Sequence, residues 1–220
     1  SLGVGPDGAL WVGTDNDGAY PFDGDRWSQY TVNEGLPDSS VHSFAFGREG
    51  VIWAATWFGA ARFDGQRWQS YPIDKDLVGN DFHSLAVGLD GTVWLGTGRG
   101  LMRLEGNAWQ HALQAGPGYG QGEDSGKGAG QGGDAGQGAG GAESAPGPAL
   151  DVPVHAVWVD ADGSLWYGAM MQPLNWVQQG TAQPVGPQAL PDGFRTNALL
   201  RTRDGAMVLG YDAGGALVTL

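Results

Sequence analysis

Three histidines recur at equivalent positions of this sequence and are its clearest candidates for chemistry. His42, His83 and His155 each lie seven residues before an acidic residue, and Asn197 lies seven residues before Asp204. Imidazoles that converge can bind a metal ion, contact a ligand or act as acid and base. Repeated positions also serve repeated structural needs, such as a hydrogen bond to a neighbouring backbone. We interpret the histidines first as structural residues and second as ligand contacts, and we expect no metal site.

Trp57, Phe58 and Arg99 form a second group that could bind a ligand. They follow Trp-centred strand motifs, at a place where the other units of the chain have different residues. An exposed Trp and Phe pair offers a flat apolar surface for the CH face of a sugar ring, and Arg99 can donate charged hydrogen bonds to hydroxyl groups or a uronate. The alternative is that Trp57 folds back onto a neighbouring loop. Both interpretations describe binding or packing, and neither describes catalysis.

Other chemical patterns are absent from the sequence or explained by turns. Asp15-Asn16-Asp17-Gly18 resembles the start of a calcium loop, but the required spacing and the terminal Glu are missing. Acidic residues precede glycine at the predicted turns because Asp and Asn tolerate the left-handed conformation and bond their own backbone. The chain has no cysteine, and no Ser/His/Asp order, phosphate loop or paired carboxylates stand out. We expect no cofactor and no catalytic residue.

A repeat of about 42 residues organises the chain. Its motif, an acidic residue, Gly and a Trp-centred strand, begins at Asp7, Glu49, Asp90 and Asp162 and, in degraded form, at Asp204. The step from the third motif to the fourth is longer than the others by about 30 residues. Residues 116–148, rich in Gly, Ala, Gln and Ser, account for the excess. We expect this tract to be a disordered insertion in a loop between two repeats.

Each repeat predicts four short strands. An Asp-Gly turn precedes the Trp-centred strand, a Gly-containing turn leads to a third strand, and a second tight turn precedes a strand that carries Trp27, Trp68 or Trp109. Four strands in such a unit are typical of one blade of a β-propeller. We therefore predict an all-β fold, a single β-propeller region over residues 1–220 with about five four-stranded blades. The periodic tryptophans should pack between blades, whereas Trp57 and Trp158 break the period.

The predicted architecture brings the two candidate groups together. In a propeller, the turn between the second and third strands of a blade lies on the same edge as the connection that enters the innermost strand. That edge would place Trp57, Phe58 and Arg99 beside the histidines. We take it as the candidate ligand-binding site.

Some of these motifs resemble a known family. Gly-Leu-Pro-x-x-x-Val at Gly35–Val41, the Asp/Glu-Gly-x-Φ-Trp-x-x-Thr motif and Gly-x-x-x-Phe-Asp-Gly at Gly59–Gly65 resemble the two-component regulator propeller repeat. The resemblance covers residues 1–112 and 150–220. It implies a periplasmic or extracellular ligand-sensing propeller of the kind found in hybrid histidine kinases, commonly seven-bladed, with carbohydrate fragments among its ligands. Five units, the long insertion and the lack of a kinase or a dimerising β-sandwich depart from that pattern.

Charge and hydropathy exclude two classes of partner. The chain has 11 Lys and Arg against 24 Asp and Glu, a formal net charge of −13. No basic cluster is present to neutralise phosphates, so we expect no nucleic-acid partner. The longest nearly apolar run, Val51–Ala61, is far shorter than a membrane span, so we expect no direct membrane insertion.

Together these features predict a non-enzymatic sensor that binds a small molecule or an oligosaccharide. Further blades or signalling domains of the same parent protein would transmit the binding. Two alternatives remain: a streptogramin-lyase-like enzyme with His155 as its base, and a protein-interaction scaffold. We also expect the chain to be an arc of a six- or seven-bladed ring, because Ser1–Val4 occupies the place of an innermost strand and the fifth unit ends at its third strand.

Overall fold

The structure is a computed structural model that describes residues 1–73, 82–112, 152–170, 174–178, 181–185, 196–202, 205–211 and 216–218. These residues form five antiparallel sheets, which we call blades 1 to 5. In each blade the strands pair in chain order, so every blade is a meander. The predicted all-β fold with five repeated units is confirmed. The fourth strand predicted at Trp27 is not formed, since only isolated bridges join Phe22 to Trp27 and Ala19 to Tyr30.

The strand bounds follow the repeat. Blade 1 contains β1 (Leu2–Val4), β2 (Leu10–Gly13) and β3 (Ala19–Phe22). Blade 2 contains β4 (Val41–Phe46), β5 (Ile52–Thr56), β6 (Gly59–Phe63) and β7 (Trp68–Pro72). Blade 3 contains β8 (Phe82–Val87), β9 (Val93–Thr97), β10 (Gly100–Glu105) and β11 (Ala108–His111). Blade 4 contains β12 (Val154–Val159), β13 (Leu165–Ala169), β14 (Leu174–Gln178) and β15 (Thr181–Val185). Blade 5 contains β16 (Thr196–Arg201), β17 (Met207–Tyr211) and β18 (Ala216–Val218). Short 3-10 turns cover Val32–Glu34 and Arg48–Gly50.

The first strand of each blade lies against the first strand of the next. Such contacts join β1 to β4, β4 to β8, β8 to β12 and β12 to β16. The blades are therefore arranged around their innermost strands, as the propeller prediction requires.

The hydrophobic core lies between blades. Along β5, Ile52 and Ala54 pack toward blade 1, whereas Trp53 and Ala55 pack toward blade 3. Similar clusters join blade 3 to blade 4 and blade 4 to blade 5. Because side chains alternate along a strand, blade 2 presents an apolar layer to each neighbour, which explains why every residue of β5 is buried.

One periodic tryptophan departs from the predicted packing. Trp68 and Trp109 are buried against the preceding blade. Trp27 stacks on Phe22 at 4.9 Å between ring centroids but is 55% exposed. The prediction of interblade packing is wrong for Trp27, because its equivalents face the preceding blade and no described residues cover that face of blade 1.

Small residues in the second strand allow the next blade to approach. A Cβ atom added to Gly96 would lie 2.6 Å from the Val154 carbonyl oxygen, and one added to Gly168 would lie 2.4 Å from the Thr196 Cβ atom. Alanine takes the same place in blade 2, at Ala55. The glycines of the Trp-x-Gly motif are therefore explained by interblade spacing.

The acidic residues of the tight turns bond their own backbone, as predicted. Asp64 accepts hydrogen bonds from the amides of Gln66 and Arg67 at 2.9 and 2.8 Å. These amide donors hold the pKa of Asp64 below its ordinary value. Asp23 has the same arrangement, and its pKa is lowered in the same way. The pKa values of Asp90 and Asp162 are also lowered, there by the amide and the hydroxyl group of Thr92 and of Ser164. Turn formation thus accounts for part of the acidic charge.

The predicted insertion at residues 116–148 lies outside the described residues. Among the residues that are described, none belongs to a helix long and apolar enough to cross a membrane.

Candidate functional site

The candidate site lies at one edge of the blades, which we call the rim. The rim comprises the first residues of the innermost strands and the turns after β2, β5 and β9. His42, His83 and His155 occupy the innermost strands at this edge, as predicted. Trp57, Phe58 and Arg99 occupy the turns after β5 and β9.

A repeated β-bulge positions the histidines. Val41 pairs with Thr56 and Ser43 pairs with Ala55, so His42 is the extra residue of a bulge in β4. The same register shift occurs between Phe82 and Ser84, between Val154 and Ala156 and between Thr196 and Ala198. The extra residues are therefore His42, His83, His155 and Asn197. A bulge re-aims a side chain out of the regular alternation, and bulges are frequent beside functional sites.

A threonine at the end of the second strand holds the rim turn in blades 1, 2 and 3, whereas Ala169 takes its place in blade 4. Thr56 Oγ1 donates a hydrogen bond to the Gly59 carbonyl at 3.0 Å and accepts one from the Phe58 amide at 3.4 Å. Thr97 bonds the Gly100 carbonyl and the Arg99 amide in the same way, at 2.9 and 3.2 Å. The repeated threonine thus builds one turn geometry, while the residues displayed by the turn differ from blade to blade.

Trp57 is supported by a histidine of its own blade. The rings of His42 and Trp57 meet edge to face, with centroids 4.6 Å apart and planes at 80°. Trp57 remains 37% exposed and Phe58 41% exposed. The indole is therefore partly exposed and has an edge-to-face ring contact with His42.

Two further histidines meet across a blade boundary. The rings of His83 and His155 lie 4.1 Å apart between centroids, and His155 is buried. The structure thus forms two ring pairs at the rim, His42 with Trp57 and His83 with His155. No group of three or more His, Cys, Asp or Glu side chains within the described ranges could hold a metal ion.

The rim of blade 1 carries the segment that resembles a calcium loop. Thr14 Oγ1 accepts a hydrogen bond from the Asp17 amide and donates one to the Gly18 carbonyl. The Gly18 amide donates to the Ser39 carbonyl at 2.8 Å. These bonds are those of a rim turn, which confirms the interpretation of this segment as a turn.

The opposite ends of the innermost strands are apolar. A cavity of about 290 Å³ lies between blades 2, 3 and 4. Phe44, Phe46, Val87 and Trp158 are among its lining residues. The sequence showed that Trp158 breaks the repeat but gave no indication of the cavity, because its walls come from three strands distant in sequence.

Comparisons with known proteins support the fold. The sequence matches no family profile and no curated protein. The extracellular domain of a putative hybrid two-component system from B. thetaiotaomicron has a TM-score of 0.63 and 15% identity, over 98% of this chain and 26% of that chain. The WD40 β-propeller domain of Doa1 has a TM-score of 0.63 and 10% identity, over 97% of this chain and 61% of that chain. The chain has a β-propeller fold.

An enzyme is also among the similar propellers. A catalytically inactive virginiamycin B lyase from Staphylococcus aureus, in a structure with quinupristin, has a TM-score of 0.63 and 12% identity, over 99% of this chain and 68% of that chain. At these identities the likeness extends to the fold alone. The chain spans about a quarter of the extracellular two-component system domain that it matches.

Proposed function

We propose that this chain is a ligand-sensing propeller region of a bacterial two-component signalling protein. It binds a small ligand such as a glycan fragment at the rim, without chemical conversion. The observation that carries the proposal is the partly exposed Trp57 and Phe58 pair, held beside His42 in a turn anchored by Thr56.

Sugar recognition suits this arrangement. An indole whose orientation is set by a second ring can stack on a sugar without losing side-chain freedom at the moment of binding. Arg99, in the corresponding turn of blade 3, supplies charged hydrogen bonds to hydroxyl groups or a uronate. His83 and His155 lie at the rim, where they contact the ligand or hold in place the residues that contact it.

We further propose that the protein lies in the periplasm or outside the cell. Its partners would be further blades or signalling domains of the same parent protein. Its support is the similarity to extracellular domains of two-component systems. The exposure of Leu2, Val4 and Trp27, at 69%, 63% and 55%, supports further blades as a partner of blade 1.

A glycan array probed with the full chain tests the proposed function. Trp57→Ala should abolish or strongly weaken the signal for any glycan that the wild type binds. Trp27→Ala is the matched control, because it removes another exposed indole far from the rim. Equal losses in both variants, or no glycan bound by the wild type, would contradict the proposal.

A lyase activity is the second candidate, favoured by the buried His155 and its contact with His83. A buried imidazole at the rim could act as a general base, and a virginiamycin B lyase has a similar fold. Chromatography of quinupristin after incubation with the protein tests this candidate. Loss of the antibiotic that depends on His155, shown by a His155→Ala variant, would replace the sensor proposal with an enzyme.

A further inference from the structure

A second cavity lies between blades 2 and 3, at the edge opposite the rim. Its volume is about 410 Å³, within the range of small-ligand sites. The turn between β4 and β5 and the turn between β8 and β9 form its walls. Trp53, which is only 5% exposed, closes one side. Val51, Val87 and Leu89 add apolar surface.

Four charged residues line this cavity, two of each sign. They are Arg48, Glu49, Arg62 and Asp90. Within the part of the chain that the structure describes, none of the four forms an ion pair. Asp90 accepts hydrogen bonds from Thr92, but each carboxylate oxygen retains capacity for another donor.

Arg62 differs from its counterpart in blade 3. Arg62 lies across the ladder from Trp53, and Arg103 lies across from Trp94 in the same way. Arg103 forms an ion pair with Glu105, and its guanidinium carbon lies 5.9 Å from the Trp94 ring centroid. The acidic partner Glu105 therefore neutralises Arg103 in blade 3. In blade 2, the equivalent Arg62 lies at the cavity with no ion pair among the described residues.

The turn that carries Arg48 and Glu49 is strained. Glu49 has φ 58° and ψ 29°, and it is the one non-glycine residue with positive φ among the described residues. In blades 1, 3 and 4 the corresponding Asp accepts a hydrogen bond from an amide of its own turn. In blade 2 the turn is instead closed by a bond from the Val51 amide to the Arg48 carbonyl. Backbone strain of this kind clusters at ligand sites.

We propose that this cavity binds a zwitterion of the α-amino acid class with an apolar side chain. The carboxylate lies between the guanidinium groups of Arg48 and Arg62, which donate charge-assisted hydrogen bonds. The ammonium group donates to Glu49 and Asp90. The side chain packs on Val51, Val87 and Leu89. The site is separate from the rim, so its ligand can bind together with the rim ligand.

Nuclear magnetic resonance titration of the ¹⁵N-labelled full chain tests the binding. The probes are L-alanine, L-valine, L-leucine and L-phenylalanine. At least one should shift the amides of Val51, Gly88 and Leu89 and the indole of Trp53. The analogues 4-methylpentanoate and 3-methylbutylamine, which each keep one charge of leucine, should bind at least about tenfold more weakly than leucine. No shifts with any of the four amino acids would overturn the proposal, as would equal affinity for a singly charged analogue.

Two variants and one control separate binding from folding. Arg62→Gln and Glu49→Gly should each weaken binding by about tenfold or more. Glu49→Gly also removes the left-handed strain, so its melting temperature should stay equal or rise. Arg67→Gln is the control, because it removes an exposed arginine of blade 2 that pairs with Asp64 outside the cavity, and it should leave the affinity unchanged. Wild-type affinity in both cavity variants, or an equal loss in Arg67→Gln, would show that the cavity is not the site.

Discussion

The interblade core and the rim are built from the same repeat, but they differ in how strictly the repeated residue types are kept. Between blades, equivalent positions carry the same kind of residue, as at Gly96 and Gly168, where the next blade leaves room for no more than a hydrogen atom. At the rim, the turns of blades 2 and 3 share a threonine but display different residues, Trp57 in blade 2 and Arg99 in blade 3. Where the repeat is kept, packing demands it; where it is broken, a binding role becomes the better explanation.

The largest effect should come from the interior. Trp53→Ala removes a side chain that is 5% exposed and packs in the core between blades 2 and 3. We expect a loss of about 3 kcal/mol or more in the free energy of unfolding, since truncating a buried Trp leaves a large cavity. Urea denaturation followed by circular dichroism measures it. A loss below about 1 kcal/mol would mean that the interblade core relaxes around the vacancy.

An added methyl group in the interior should cost less but remain clear. Gly168→Ala places a Cβ atom against β16 and should lower the free energy of unfolding by about 1 to 3 kcal/mol. Ala55→Gly, at the equivalent position of blade 2, is the control and should cost about 1 kcal/mol or less. Thermal melts of both variants distinguish the two sites. A neutral Gly168→Ala would show that blades 4 and 5 can move apart.

A rim substitution should barely affect stability. Trp57→Ala removes a partly exposed indole whose described ring contact is with His42. We expect a change within about 1 kcal/mol, together with the loss of glycan binding described above. The same melts as for Trp53→Ala provide the measurement. A loss as large as that of Trp53→Ala would place Trp57 in the core and end the contrast between the two regions.

The smallest effect should come from a turn aspartate. Asp64 lies at the surface, and the amides of Arg67 and Gln66 hold its pKa below the ordinary value of 3.8. Its carboxylate therefore stabilises the fold above the unfolded-state pKa, and this contribution is lost as the pH falls through the lower folded-state pKa. Asp64→Asn should melt slightly below the wild type at pH 7, and the difference should shrink in acid. A difference that grows in acid would contradict this sign.

The repeat made the strands predictable, but the places where the structure departs from the repeat could not be predicted from the sequence. The recurring Trp-x-Gly-Thr motif and the Asp-Gly turns are sufficient to place most strands and the layers between blades. The bulge at His42 could not be predicted, because a register shift depends on the partner strand and leaves no mark in the sequence of its own strand. Trp27 was misplaced because the repeat gives its orientation but not what covers it.

The candidate site was predictable only in outline. Sequence spacing placed Trp57, Phe58 and Arg99 on the same edge as the histidines, and the contact of Trp57 with His42 agrees with this. The pairing of His83 with His155 depends on the angle between blades, which no spacing encodes. The cavity beside Arg62 was missed because Glu-Gly at 49–50 fits the repeat by residue type while its turn bond differs.

The repeated bulge offers a route to engineering specificity. Positions 42, 83, 155 and 197 are the extra residues of their bulges, so we expect that their side chains can change without altering the register of any strand. A combinatorial library at these four positions would vary residues of neighbouring innermost strands at the rim, while the interblade core stays the same. The fold thus separates the interblade positions, whose residue types must be kept, from the bulge positions at the rim, whose residues can be varied and selected for binding.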